Sequence, residues 1–230
     1  MYMEPKNGDA SRRPLAVRKN ARVHQIAKWL NERNITPNQI SLMSIVFAAL
    51  GFAAMLGYHF FASSVLLLVT ALCIQSRLLC NLFDGMVAIE GGKSTASGEL
   101  FNDVPDRIAD PLFIIGVGFA TQHESGMYLA WACALVAVLT AYIRVLGVSM
   151  GTKADFRGPM AKQHRMALLT GALVVLFLQN LTGFFTDLPV NIIELALVVM
   201  LLGSLVTCWR RLVFIYQDVE GAALKDGDKQ

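Results

Sequence analysis

Apolar residues along this chain gather into six long runs, at about 38–58, 61–83, 98–121, 127–148, 166–186 and 189–209. Roughly 20 apolar residues make a helix that crosses a hydrocarbon layer about 30 Å thick. The pattern therefore predicts an all-α polytopic membrane protein with six transmembrane helices. The second and third runs are the least clean, because polar residues crowd one end of each. The first has a sharp start. Thr36 is placed to cap it, Pro37 stands at the first helical position, and Gln39 completes a capping box. Ile35 and Ile40 flank this start as a hydrophobic staple. A secretory signal would begin its apolar core earlier, so this span is expected to be retained.

Ahead of the first run, residues 21–34 read as a short amphipathic helix. Val23, Ile26 and Leu30 form an apolar stripe, with Arg22, Gln25, Lys28 and Arg33 largely away from it. Such a helix suits the inner membrane surface, or packing on a neighbouring loop. Residues 1–20 are expected to form a flexible basic arm that follows anionic headgroups, and 216–230 a solvated cytoplasmic tail. The membrane domain then covers 35–215.

Composition narrows the class. Hydrophobic residues make up 55% of the 230, charged residues only 16%, and mean hydropathy is +0.50. A soluble domain carries about 25% charged residues, so a water-soluble enzyme and a disordered chain are both excluded. The net charge of +3 matters less than its placement. The connections near 58–61, 121–127 and 186–189 contain no Lys or Arg, whereas residues 1–36 are rich in both. Positive charge marks the cytoplasmic side, so both termini are expected there, in a bacterial inner membrane, with no nucleic-acid partner. A five-span alternative, with 98–121 re-entrant or lying on the surface, would put the four basic residues of 151–165 outside, against that rule.

One stretch, residues 81–110, concentrates the acidic groups. Asn81 and Asp84 share a helical face; Asn102, Asp106 and Asp110 repeat every four residues, and Asp103 stands one turn before Arg107. Gly91–Gly92 breaks two helices apart, and Ser97 can cap the second. At 1.5 Å per residue, Asp84 lies about 9 Å from its helix end, and Asn102 and Asp106 about 8 and 14 Å from theirs. Carboxylates at such depth need a metal, a cationic partner or a watery cavity. Two facing groups of oxygen ligands suit Mg²⁺ or Mn²⁺. The plainer reading is polar helix ends satisfied by water and Arg107. Gly85 and Ala88 beside Asp84 permit close approach. Pro105 removes the backbone bond to Phe101 and either opens the helix near Asn102 or kinks it for packing.

On these residues the chain resembles the CDP-alcohol phosphatidyltransferase family, whose signature is D-x2-D-G-x2-A-R-x8-G-x3-D-x3-D. Asp84, Gly85, Ala88, Gly98 and Asp106 match it, while Asn81, Ile89 and Asn102 replace an aspartate, the arginine and a second aspartate. The segment ITPNQISLMS at 35–44 is similar to that family's approach to its first span. The resemblance covers about residues 21–215. It implies transfer of a phosphatidyl group from a CDP-linked lipid such as CDP-diacylglycerol to a small alcohol acceptor, with release of CMP. In the family the four aspartates hold two divalent ions, and the last is the base. Carried over, Asp84, Asp106, Asn81 and Asn102 become metal ligands, with Asp103 as an additional candidate, and Asp106 the catalytic base. Asn81, Asp84, Gly85, Ala88 and Gly98 are implied to hold the nucleotide. Arg144, Arg157, Lys162 and Arg165 are implied to bind substrate phosphate, against the alternative of ordinary positive-inside charge. Arg77 or Lys93 could replace the missing arginine only if folded inward. The resemblance also implies a homodimer.

Two amides in place of carboxylates weaken the Coulomb attraction for metal. Two other functions therefore stay open: a noncatalytic relative binding a nucleotide-linked lipid or partner enzyme, and a small lipid transporter. GGKS at 91–94 is no phosphate loop, since Val87 stands where that motif needs glycine.

Overall fold

The computed structural model describes residues 21–93, 95, 97–121, 123–183 and 191–227. Among them are seven helices and no strand: α1 (Ala21–Glu32), α2 (Pro37–Phe61), α3 (Val65–Glu90), α4 (Gly98–Gly118), α5 (Glu124–Ser149), α6 (Lys162–Thr182) and α7 (Ile192–Gly227). Helices α2 to α7 follow the six apolar runs. Five of them, all but α4, are long and apolar enough to cross a membrane. Helix α4 has 21 residues, but Asp103, Asp106, Arg107 and Asp110 crowd its first two thirds. The basic arm 1–20 lies outside the described residues.

Local chemistry sets several boundaries. The capping box is complete: Gln39 N–H donates to Thr36 Oγ1 at 3.3 Å, and Thr36 N–H donates to Gln39 Oε1 at 3.0 Å. Ile35 and Ile40 join one apolar cluster, as a staple should. Ser97 does occupy the N-cap position of α4, but its side chain makes no capping bond and lies 3.5 Å from Thr95 Oγ1. Helix α7 does not stop near 209 or 215. It continues to Gly227, so most of the expected tail is helical.

Helix α1 differs from its expected stripe. Val23, Ala27 and Leu30 pack with Met86 and Val87 of α3, while Ile26 and Trp29 stay exposed. Positions 23, 27 and 30 follow the i, i+4, i+7 rule and Ile26 does not, so the protein-facing stripe is centred on Ala27. Lys93 Nζ donates to the Asn31 carbonyl at 3.2 Å, tying α1 to the α3–α4 turn.

Helix α2 packs against α3 and α4, α4 against α5, α3 against α6, and α7 against α5 and α6. In lipid, side chains gain little by leaving an apolar solvent, so close fit rather than the hydrophobic effect holds helices together. Helix α5 buries Gly126, Ala130, Ala134, Ala137 and Ala141, and turns Tyr128, Trp131, Leu135 and Tyr142 outward. Gly51 lets α2 reach α4: a Cβ there would stand 2.5 Å from Phe113 Cε1. The four cysteines are free and buried in these faces. Leu100, Val104 and Ile108, four apart on α4, are exposed and make its outer face apolar.

Candidate active site

Three helices bring the polar residues together. Helix α3 presents Arg77, Asn81 and Asp84 at i, i+4 and i+7, one face by helical periodicity. Helix α4 presents Asp106 and Asp110 one turn apart, running on through Pro105 and Pro111. Helix α6 begins with Lys162 and carries Arg165 one turn later.

Asp106 is enclosed by donors. Its Oδ1 accepts from Arg77 Nη2 at 2.8 Å and Asn81 Nδ2 at 2.9 Å, and its Oδ2 accepts from Lys162 Nζ. Arg77 Nη2 also lies 2.5 Å from Asp110 Oδ1, and Arg165 Nη2 donates to Asp110 Oδ2 at 3.2 Å. Arg77 is 0% exposed, and the side chain of Lys162 is 27% exposed. Arg165 further donates to the Met160 carbonyl at 3.0 Å and to Thr140 Oγ1 at 3.4 Å. Unpaired charges at this depth would be costly, so the interlocked pairs are what permit them.

Asp84 has a different environment. It is 5% exposed and accepts from Ser41 Oγ of α2 at 2.7 Å. It forms no ion pair among the described residues, yet Asp106 and Lys162 are close enough to act on it electrostatically. Asn81 and Asp84 share one face of α3, and Asn81 donates to Asp106, so Asp84 and Asp106 belong to one polar cluster.

The α5–α6 loop is fixed by Gly158 and Thr207. Gly158 has φ +129°, and a Cβ there would lie 2.4 Å from the Thr207 methyl of α7, while Thr207 Oγ1 accepts from Met160 N–H at 3.1 Å. The left-handed backbone and the close approach both call for glycine. This anchor sets where Lys162 and Arg165 enter the pocket.

The expected residues are partly assembled. Asp84, Asp106, Asn81, Lys162 and Arg165 meet. Asp103 turns toward α5, where Arg144 Nη2 reaches both of its oxygens at 2.9 Å and Arg107 lies 3.5 Å away. Asn102 is exposed, and Gly85, Ala88 and Gly98 are half-buried near their helix ends. Arg157 lies elsewhere: it pairs with Asp155 at 2.9 Å and covers the Phe214 ring at 3.9 Å. Of the two substitutes for the missing arginine, Arg77 folds inward and Lys93 does not. Ile89, in the arginine's place, is 59% exposed. The partnership of Ser41 with Asp84 carries no sequence signal. Arg77 carries one, since a lone cation in an apolar run must face the bundle interior.

The profile of the CDP-alcohol phosphatidyltransferase family matches residues 34–213, and the chain belongs to that family. It is an integral membrane enzyme, a transferase of phospholipid synthesis. The chain is 28% identical over 152 residues to archaetidylinositol phosphate synthase of Aeropyrum pernix, covering 65% of this chain and 72% of that one. It is 23% identical over 189 residues to an uncharacterized protein of Aquifex aeolicus, covering 81% and 85%. Among solved structures, phosphatidylinositol phosphate synthase (PgsA1) of Mycobacterium tuberculosis with CDP-DAG bound superposes with a TM-score of 0.65 at 18% identity, covering 84% of this chain and 93% of that one. The same protein in complex with manganese and citrate gives 0.66 at 18% identity, covering 84% and 88%.

The donors here can be tested against a divalent ion. Asp84 is a buried carboxylate that accepts from the Ser41 hydroxyl and the Gly85 backbone N–H and has no ion pair among the described residues, and Asn81, whose amide N–H is given to Asp106, keeps its amide oxygen as an acceptor. These suit one hard cation. Asp106 and Asp110 offer little, because Arg77, Lys162 and Arg165 already hold them. Among the described residues no three His, Cys, Asp or Glu side chains stand together as a metal set.

Proposed function

We propose that this transferase moves a phosphatidyl group from CDP-diacylglycerol, or a similar CDP-linked lipid, to a small alcohol, releasing CMP. The observation that carries the reading is the polar cluster in which Asn81, beside Asp84 on α3, donates to one oxygen of Asp106 while Lys162 donates to the other. In the step, the alcohol oxygen bonds to the lipid-linked phosphorus. The bond from that phosphorus to the bridging oxygen breaks, and CMP leaves with the electron pair. The hydroxyl proton passes to Asp106. Both oxygens of Asp106 are engaged in the resting pocket, so Lys162 must first turn away. Its partly exposed side chain lets the ammonium turn to the phosphate of an incoming substrate, and that exchange frees Oδ2 for the attacking hydroxyl. Arg165, held by Asp110 and Met160, supplies fixed positive charge behind it. A Mg²⁺ or Mn²⁺ ion held by Asp84 and Asn81 would supply charge stabilisation to the pyrophosphate.

Helix α4 crosses the bilayer as a sixth span on this reading, its acids inward and Leu100, Val104 and Ile108 toward lipid. The α2–α3 and α4–α5 connections carry no Lys or Arg, whereas the α3–α4 and α5–α6 loops carry Lys93, Lys153 and Arg157. On this reading the termini and the polar cluster face the cytoplasm. Anionic lipids around this basic face, a bacterial inner membrane and a homodimer accord with the reading.

The test is CMP release by the purified protein with CDP-diacylglycerol, Mg²⁺ or Mn²⁺ and a panel of alcohols. Asp84→Ala and Asp106→Ala are each expected to lower the rate by at least about 100-fold. Full activity in both variants would overturn these roles.

A further inference from the structure

The charges of the pocket do not all have the same mobility. Asp84, Asp106 and Asp110 bring three negative charges, and Arg77, Lys162 and Arg165 bring three positive ones. Lys162 reaches in from a partly exposed position and can leave. Arg77 cannot: it is completely buried, and a single nitrogen lies within 2.8 Å of Asp106 and 2.5 Å of Asp110. A guanidinium keeps its charge under all ordinary conditions. It is thus a permanent cation lodged between two carboxylates, Asp106 and Asp110.

We infer that Arg77 stands in for a second divalent ion, so that this chain binds a single divalent ion, at Asp84. A second dication near Asp106 would meet Arg77 at close range. Like charges a few ångströms apart in a poorly screened interior repel strongly. The Asn81 amide adds no charge to offset that repulsion, and it spends its N–H on the same Asp106 oxygen that Arg77 holds. Asp84 has two neutral donors, the Ser41 hydroxyl and the Gly85 N–H, and no ion pair among the described residues, which is the condition in which a buried carboxylate takes up a cation. The inference rests on the α3–α4 pocket being the active site, but its readout is ion stoichiometry, independent of turnover.

The probe is Mn²⁺ itself, titrated into the full chain in neutral detergent and followed by the electron paramagnetic resonance of the free ion. The wild type is expected to bind one Mn²⁺ per chain, and Asp84→Ala to lose it. Asn81→Asp with Asn102→Asp, Arg77 retained, is expected to tighten that ion by about tenfold through added negative charge while the stoichiometry stays at one. Adding Arg77→Gln to that pair is expected to raise it to two. Two ions of similar affinity in the wild type would overturn the inference, as would a second ion in the double variant with Arg77 still present. Both of those measurements leave Arg77 intact, so they stand even if Arg77→Gln does not fold. Failure of CMP release with every alcohol would sink the proposed reaction and leave the ion count as measured.

Discussion

Asp110 and Arg165 lie one layer behind the proposed chemistry, and their contribution is to stability and position. Arg165 neutralises Asp110, donates to the Met160 carbonyl, and so joins α6 to both α4 and the α5–α6 loop. Replacing it by Met leaves a buried carboxylate with one cation fewer. Thermal unfolding in detergent should register a loss of about 3 kcal/mol, the usual cost of breaking a buried ion pair on one side. Lys162→Ala tests a different property. Its loss also leaves buried Asp106 with one cation fewer, so some stability goes with it, but the distinguishing readout is the concentration of acceptor needed for half-maximal CMP release, which should rise. An unchanged requirement would mean that the ammonium does not meet substrate phosphate.

Helices, rather than single residues, decide where these groups stand. Gly158 joins the α5–α6 loop to α7 in a left-handed conformation against Thr207. Gly158→Ala is expected to shift that loop, lowering CMP release by more than about tenfold while circular dichroism retains the helix content. Most of the helical framework was legible in the sequence, because long apolar runs, the Thr36–Gln39 capping box and the Gly91–Gly92 break are local signals. Asp84 and Asp106 were legible through their spacing. Their partners were legible only in part: Lys162 and Arg165 entered as phosphate binders through the resemblance, Arg77 as a substitute only if folded inward, and Ser41 not at all. Which acid each one meets depends on the packing of other helices, and periodicity within one helix carries no information about its neighbour. The α1 stripe was misread for a related reason: both Ile26 and Ala27 are apolar, and only the packing of α3 selects Ala27.

At the scale of the whole molecule, the membrane orientation gives a direct check. A reporter fused after Gln230 should read as cytoplasmic, as should one fused before Met1, whereas opposite sides would remove one of the six proposed crossings. The position of Lys162, the first residue of α6, has a kinetic consequence. Uncovering Asp106 asks for release of its ion pair with Lys162 and for rotamer changes along a four-carbon side chain, and neither step moves the backbone. Lids and hinges move on microsecond to millisecond scales and often limit turnover. A bundle that unmasks its base through one flexible stem can keep its backbone still, and the pace of its cycle then falls to the chemical step or to departure of the lipid product into the bilayer.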